Sequence, residues 1–403
     1  MRPEHDTVAE TVRVEGTRIL ATLIRTLGDV GLAEDAVQEA TIAALGAWPV
    51  TGVPPEPRAW LTVTARRKAI DILRRERARA DKERLADLHR EDVPPDHVVA
   101  DDLLRLIFTC CHPALSPPTR VALALRTLCG LTPAQIGAVL LTTEAAAAKR
   151  LTRARQKIAA ARIPYRVPAA AELPDRLPAV CGVIHSLYTA GHADHDVDTC
   201  AEALRLAELL HGLLPDQPMP AAVLALLLLT DARGPARLDP AGDVVTLDRQ
   251  DRGRWNTCAI GRGIELLNDS LRSTAGQADA YQLQAAIAAE HARAPSYAET
   301  DWAEIVRLYE LLLSVAPNEA AALGHAVATA EACGAEAGLA LLAGLPPSPR
   351  AHAIRAELLA REGRFAEAAG ELGESLSGPA AVQEREFRVR RQAEFLALAR
   401  GRA

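Results

Sequence analysis

Residues 131–161, LTPAQIGAVLLTTEAAAAKRLTRARQKIAAA, read as two helices joined by a short turn. Thr132 stands where an N-cap belongs, and Pro133 takes the first helical position, where a missing N–H costs nothing. Ile136, Val139 and Leu140 give the first helix, 131–140, an apolar face. Leu141–Thr143 make the turn, and Glu144 to Ala161 make the second helix. That helix carries Lys149, Arg150, Arg153, Arg155 and Lys157. A helix laid in the major groove offers its N-terminal residues to base edges and its basic flank to phosphates. Here Thr142, Thr143 and Glu144 would lead, and Ala145 to Ala148 are small enough to approach thymine methyls. The pattern predicts a nucleic-acid-reading helix–turn–helix. The plainer alternative is an ordinary surface hairpin.

Upstream lies a second basic segment, PRAWLTVTARRKAIDILRRERAR, 57–79. It runs as one long helix beyond PVTGVPPEP (49–57), whose prolines predict a loop. Residues 58–79 hold eight bases and two acids, and 142–166 hold seven bases and one acid. Arg58, Trp60, Thr64, Arg66, Arg67, Lys68, Arg74 and Arg75 could grip a phosphate backbone while an aromatic or a pocket holds an unstacked base. Trp60 also suits a core anchor beside Leu61, Ala65 and Ile72. Asp71 suits an internal partner for Arg67 or Arg74. Two helices precede the loop, within 7–47. The second, 33–45, places Ala36, Val37, Ala40, Ala44 and Leu45 on one face. Its surroundings, 29–39, carry four acids and no base.

The charge of the chain is divided. Residues 1–166 contain 25 basic and 20 acidic side chains, and 167–403 contain 21 and 32. A basic front and an acidic back imply different partners. The length, 403 residues, implies more than one domain. Only 3% of residues are aromatic, and the apolar content is mainly alanine and leucine, which favours an all-α fold. The apolar run Ala221 to Leu229 is too short to span a bilayer. The N-terminus has no apolar segment of a secretory signal. Seven dispersed cysteines read as reduced thiols of a cytoplasmic protein.

From residue 175 onward the pattern predicts helices at 176–190, 199–214, 219–232, 257–272, 281–293, 301–315 and 319–333. Residues 234–254 read as a loop with one short strand at most. In 349–376, Ala356, Leu359, Gly363, Ala368 and Leu372 fit the spacing of a tetratricopeptide unit, with a fainter copy around Gly334.

Other constellations carry less. Cys110, Cys111 and His112 lack the gap of common zinc sites. His185, His192, Asp194 and His195 could mark a metal or hydrolytic site, but a solvated loop is the plainer account. Residues 250–255, QDRGRW, are dense enough in polar groups to be a site, though a buried polar knot that fixes a loop between helices is the plainer account. No phosphate-cradling glycine loop or nucleophile elbow is present. No metal or cofactor is called for, and no catalytic residue is assigned.

The order of these pieces resembles a bacterial RNA polymerase sigma factor of the extracytoplasmic-function group: AEDAVQEATIAAL (33–45), a Pro-rich loop, PRAWL–ARRKAIDILRR, then a helix–turn–helix ending RLTRARQKIA. It is similar to a subgroup with a long helical extension, on LIFTCCHPALSP (106–117), QDRGRW, YQLQAAIAA (281–289) and TDWAEIVRLY (300–309). The resemblance implies a region two-like domain at 1–79, a linker at 80–100, a region four-like domain at 101–166 and a regulatory extension at 167–403. It implies that Glu34, Asp35, Gln38 and Glu39 dock on core RNA polymerase. It implies that the Arg-rich helix and the loop before it open and read the start-proximal promoter element, and that the second unit reads the upstream one. The acidic extension, with its tetratricopeptide-like hairpins, would regulate in cis and offer a surface to a peptide or protein partner. The rival expectation is a free-standing helix–turn–helix regulator with a ligand- or partner-sensing helical domain.

Overall fold

The computed structural model describes residues 3–76, 96–140, 142–161, 163–274, 276–378 and 381–401. Among these the regular structure is helical, and the strand-like pairing is an isolated antiparallel bridge between Leu238 and Val244. The chain divides into two compact units, 1–190 and 191–403. The division falls inside a helix, whereas the sequence pattern places the start of the extension at 167.

The first unit begins with α1 (Pro3–Leu27), α2 (Val30–Thr51) and α3 (Pro57–Glu76). Gly28 ends α1 in the left-handed region, at φ 69°, and its N–H reaches Ile24 O at 2.7 Å. Asp29 then caps α2 by accepting from Leu32 N at 3.0 Å. Ala33, Ala36, Ala40 and Ala44 form a buried stripe along α2. Their small side chains let α2 lie close to its neighbours, among Leu20, Leu23, Ile24, Leu61, Ala65 and Ala69, all buried. The loop expected at 49–57 is shorter. The helix runs through Pro49 to Thr51 and stops at Gly52, whose N–H reaches Trp48 O at 2.9 Å. A proline in the last turn removes only one hydrogen bond, so the helix survives it.

Four helices follow: α4 (Asp96–Cys110), α5 (Pro117–Thr127), α6 (Pro133–Val139) and α7 (Glu144–Ala160). Helix α4 starts within the expected linker, and residues 77–95 lie outside the described residues. Helix α4 is tied to α1 through Asp102, which has no solvent exposure. Its carboxylate accepts from Arg25 Nε at 2.9 Å and from Arg105 Nη1 at 3.1 Å. The Tyr165 hydroxyl lies 2.9 Å from Ala21 O and 3.1 Å from Asp102 O, bracing the same joint. Helix α8 (Leu173–Ala193) closes the unit, and Arg176 both caps Phe108 O at 2.9 Å and lies over its ring.

The second unit opens with α9 (Val197–Leu213) and α10 (Pro218–Asp231). Every residue of α10 from Pro220 to Leu229 is buried. The stretch 218–236 is long and apolar enough to cross a membrane by composition, but its interior is the core of this unit. It packs with α11 (Thr257–Arg272) and α12 (Ala280–Arg293). Between them, 234–254 forms three short 3₁₀ turns instead of a strand. Then come α13 (Trp302–Val315), α14 (Glu319–Cys333), α15 (Ala335–Ala343), α16 (Pro349–Arg361), α17 (Phe365–Ser375) and α18 (Val382–Gly401). Ala356, Leu359, Ala368 and Leu372 share one core with Phe395, as the tetratricopeptide spacing predicts. Gly363 and Gly334 sit at positive φ in the two interhelical turns, at 74° and 99°.

Candidate nucleic-acid interface

Helices α6 and α7 form the predicted helix–turn–helix. Thr132 and Gln135 close a reciprocal cap at the start of α6. Thr132 N donates to Gln135 Oε1 at 2.9 Å, and Gln135 N donates to Thr132 Oγ1 at 3.3 Å. The turn is tight because Gly137 lacks a side chain: a Cβ there would meet Thr142 O at 2.9 Å. Thr143 caps α7, its hydroxyl accepting from Ala146 N at 3.2 Å. Thr143 and Glu144 are exposed and Thr142 half-buried at the leading end.

Ala147, Leu151 and Ala154 bury one face of α7. Lys149, Arg153 and Lys157 stand exposed on the opposite side, four residues apart, with Arg150 half-buried beside them. This is a row of cations on a helix whose rear is fixed by packing. Arg155 leaves the row and pairs with Glu34.

The Arg-rich helix α3 is less open than its composition suggests. Trp60 is half-buried and meets Trp48 edge to face. Arg66 is buried, Thr64 and Arg58 are half-buried, and Arg67 is exposed. Lys68 reaches Glu39 at 3.4 Å. Helix α3 includes Arg74 and Arg75, whose side chains lie outside the described residues. The outward cations among the described residues are therefore Arg67 and, in part, Arg58 and Lys68. Arg66 is thus drawn into the interior, and Trp60 is partly covered by Trp48.

The four residues implied in polymerase docking also separate. Asp35 and Gln38 are exposed, Glu39 is half-buried against Lys68, and Glu34 is 8% exposed. Glu34 Oε2 accepts from Arg155, with Arg126 Nε at 3.8 Å. Burial pushes its carboxyl above the ordinary range, against the pull of Arg155 and Arg126. Its other oxygen, Oε1, is buried with no hydrogen-bond partner among the described residues. Sequence reading missed Arg126 and Arg155 as its partners, because the contact joins segments about 90 and 120 residues away, and no local pattern reports such a pairing.

The profile of sigma-70 region 2 matches residues 12–79, and that of sigma-70 region 4 matches 105–158. A Mycobacterium tuberculosis protein described as a probable ECF RNA polymerase sigma factor, SigI, is 31% identical over 209 residues, 50% of this chain and 68% of the relative. The chain belongs to the extracytoplasmic-function sigma factors. An uncharacterised protein of Rhizobium meliloti is 39% identical to this sigma factor over 367 residues, 87% of this chain and 86% of the relative. A family of unknown function (DUF6596) matches residues 176–271. A solved tetratricopeptide repeat protein from Parabacteroides merdae aligns over 89% of this chain and 99% of its own, with TM-score 0.40 and 10% identity.

Other constellations of the sigma factor are structural. Cys110 is buried and lies 3.3 Å from Thr127 Oγ1, and burial pushes its thiol up to about 12. Cys111 is raised for the same reason, so both are protonated core residues. His112 Nδ1 accepts from Ala114 N at 3.1 Å. His192 lies against Arg237, which donates to its carbonyl at 2.8 Å. Among the described residues no three His, Cys, Asp or Glu side chains converge on a metal position. Residues 250–255 match the expected buried polar knot only in part: Trp255 is buried and Gln250 and Arg252 are half-buried, but Asp251, Gly253 and Arg254 are exposed. Arg252 donates to His291 O and Ala294 O, each at 2.6 Å, and stacks 4.5 Å from the Trp255 ring. Asp251 accepts from Gly253 N at 2.9 Å.

Proposed function

We propose that this sigma factor docks on core RNA polymerase through the exposed part of α2, at Asp35, Gln38 and Glu39, and directs it to promoters through α7 and α3. Lys149, Arg150 and Arg153 contact the upstream element, with Thr142, Thr143 and Glu144 at the base edges. Arg67 and Lys68, with Arg58, Thr64, Arg74 and Arg75, serve the start-proximal element and its opening. Trp60 and Arg66 support that surface from beneath. The factor acts by binding and needs no catalytic group or cofactor. Its polymerase partner places it in the cytoplasm. The helical extension regulates activity in cis and offers its hairpins to a peptide or protein partner.

The observation that carries this reading is the outward row Lys149, Arg153 and Lys157 on a capped helix whose other face is packed. A core-polymerase pull-down with Asp35→Lys/Glu39→Lys tests the docking half. The double variant should keep its helical content and lose core binding. Undiminished binding would move the docking surface elsewhere.

A further inference from the structure

The extension holds a recess whose walls are unlike the rest of the chain. It has a volume of about 630 Å³ and lies wholly within the second unit, 191–403. Cavities of that size hold drug-sized ligands. The chain has four phenylalanines, and three of them, Phe365, Phe387 and Phe395, line this recess together with Tyr297. On α18, Phe387, Arg391, Phe395 and Leu398 recur every three or four residues, so one face of the helix turns towards the opening. Phe395 is 1% exposed and packs with Phe365 in the core of the hairpins, with ring centroids 6.3 Å apart. Phe387 and Tyr297 are half-buried and Leu398 is exposed, which leaves apolar surface facing the recess. Protein interiors close such gaps with side chains, and this one stays open.

The charges around the recess are sorted. Arg390 pairs with Asp243 at 2.8 Å, and Arg361 with Glu331 at 2.6 Å. Arg391 pairs with Glu357 and Glu394, each at 2.9 Å, and lies 4.6 Å over the Phe395 ring. These pairs satisfy one another. Two charged side chains of the lining remain exposed and form no ion pair among the described residues: Asp248 and Arg249, adjacent in the 234–254 loop. The residual chemistry is one anion and one cation at the rim of an aromatic floor.

We propose that this recess binds a short aromatic peptide with free termini, its ring against Phe387 and Tyr297, its carboxylate on Arg249 and its ammonium on Asp248. A guanidinium holds a carboxylate through paired N–H donors, and ring-to-ring contacts supply the apolar part. An aromatic acid without an amine would leave Asp248 unmatched, and an aromatic amine without an acid would leave Arg249 unmatched. Bound there, the peptide joins the 243–249 loop to α18. The protein's own link between them, Arg390 to Asp243, has partly exposed side chains and contributes little by itself. A ligand between the two segments therefore changes how firmly the loop is held. The site stands apart from the polymerase and promoter assignments, and its effect on transcription rests on the regulatory role proposed above for the extension.

The probe is L-tryptophyl-L-phenylalanine, titrated calorimetrically into the full chain beside its N-acetyl derivative and its C-terminal amide. The free dipeptide should bind as one molecule per chain. Each blocked form should bind about fivefold more weakly, the scale of an exposed ion pair. Phe387→Ala should weaken all of them by roughly tenfold through loss of the aromatic contact. Arg249→Gln should abolish the preference over the amide alone, and Asp248→Asn the preference over the N-acetyl form alone. Both side chains are exposed, so these two variants should keep the fold, which circular dichroism checks. The absence of saturable binding, equal binding of free and blocked dipeptides, or binding that all these variants leave unchanged would overturn the site. The dipeptide should also change run-off transcript yield with the wild-type chain and not with Phe387→Ala. Binding as expected with an unchanged yield would leave the site standing and overturn its regulatory role.

Discussion

Trp60 meets Trp48 edge to face, with ring centroids 5.6 Å apart and planes inclined by 69°. The pair joins the end of α2 to the start of α3 across the loop at 52–56. Trp48 is 1% exposed, so the contact is a structural hinge-pin rather than a platform open to a base. Trp60→Ala should therefore cost about 2–3 kcal/mol of unfolding free energy, less than a fully buried tryptophan would. Trp60→Phe should keep most of the stability and most of the promoter activity. Urea unfolding and transcription measured on both variants check this. A destabilised but fully active Trp60→Ala chain would remove the tryptophan from the functional surface altogether.

Asp102 is the buried anion of the first unit, held by Arg25 and Arg105. Burial pushes its carboxyl up, and the hydrogen bond from Arg25 pulls it down. Removing Arg25 leaves the buried carboxylate with only Arg105, so Arg25→Ala should lower unfolding free energy by about 3 kcal/mol. Asp102→Ala, which leaves two partly exposed arginines that water can reach, should cost less. Chemical unfolding followed by circular dichroism distinguishes the two.

How much of this was legible in advance depends on the range of the contact. The helix at 257–272 and that at 319–333 match their apolar periodicity to the residue, because period and caps are local. The Thr132–Gln135 cap is likewise written in four consecutive positions. The candidate site was legible as a set of residue types but not as a surface. Lys149, Arg153, Asp35 and Gln38 face solvent. Glu34 shares its segment with Asp35 but meets Arg126 of α5 and Arg155 of α7, Arg66 is buried, and Trp60 is half-buried against Trp48; composition does not record which face is covered. Pro49 misled in another way. Proline is a strong breaker in mid-helix, but it is tolerated in a final turn.

On α7, Arg153 and Thr143 should separate cleanly. Arg153→Ala should weaken binding to upstream-element DNA across sequences and reduce the salt slope by about one unit, as for a phosphate contact. Thr143→Ala removes the cap and should destabilise the helix by about 1 kcal/mol, with a loss of binding confined to the base position it meets. Binding isotherms at several salt concentrations, paired with thermal melts, read both effects. A base-specific loss with Arg153→Ala would instead make it a reader of one position.

The second unit should be acid-sensitive. Burial lowers His192 to about 3 and His291 to about 4, with Arg237 and Arg252 among the neighbouring cations. In the unfolded chain both titrate near the ordinary histidine value of 6.5. Below that value the unfolded state binds protons that the folded state refuses. The stabilising contribution is therefore full above pH 6.5 and is lost as the pH falls towards 4 and then 3. Melting temperatures measured between neutral pH and pH 4 should decline, and His192→Gln should flatten that decline.

The central claim is that this chain gives core RNA polymerase its promoter choice. Run-off transcription with purified chain, core polymerase and fragmented genomic DNA tests it directly. The account predicts discrete transcripts that appear only when the chain is added. It predicts that they vanish with Asp35→Lys/Glu39→Lys, and weaken with Lys149→Ala/Arg153→Ala, while both variants stay folded. Transcripts unchanged by the chain, with the chain binding defined DNA sites in the absence of polymerase, would contradict it and favour a free-standing helix–turn–helix regulator.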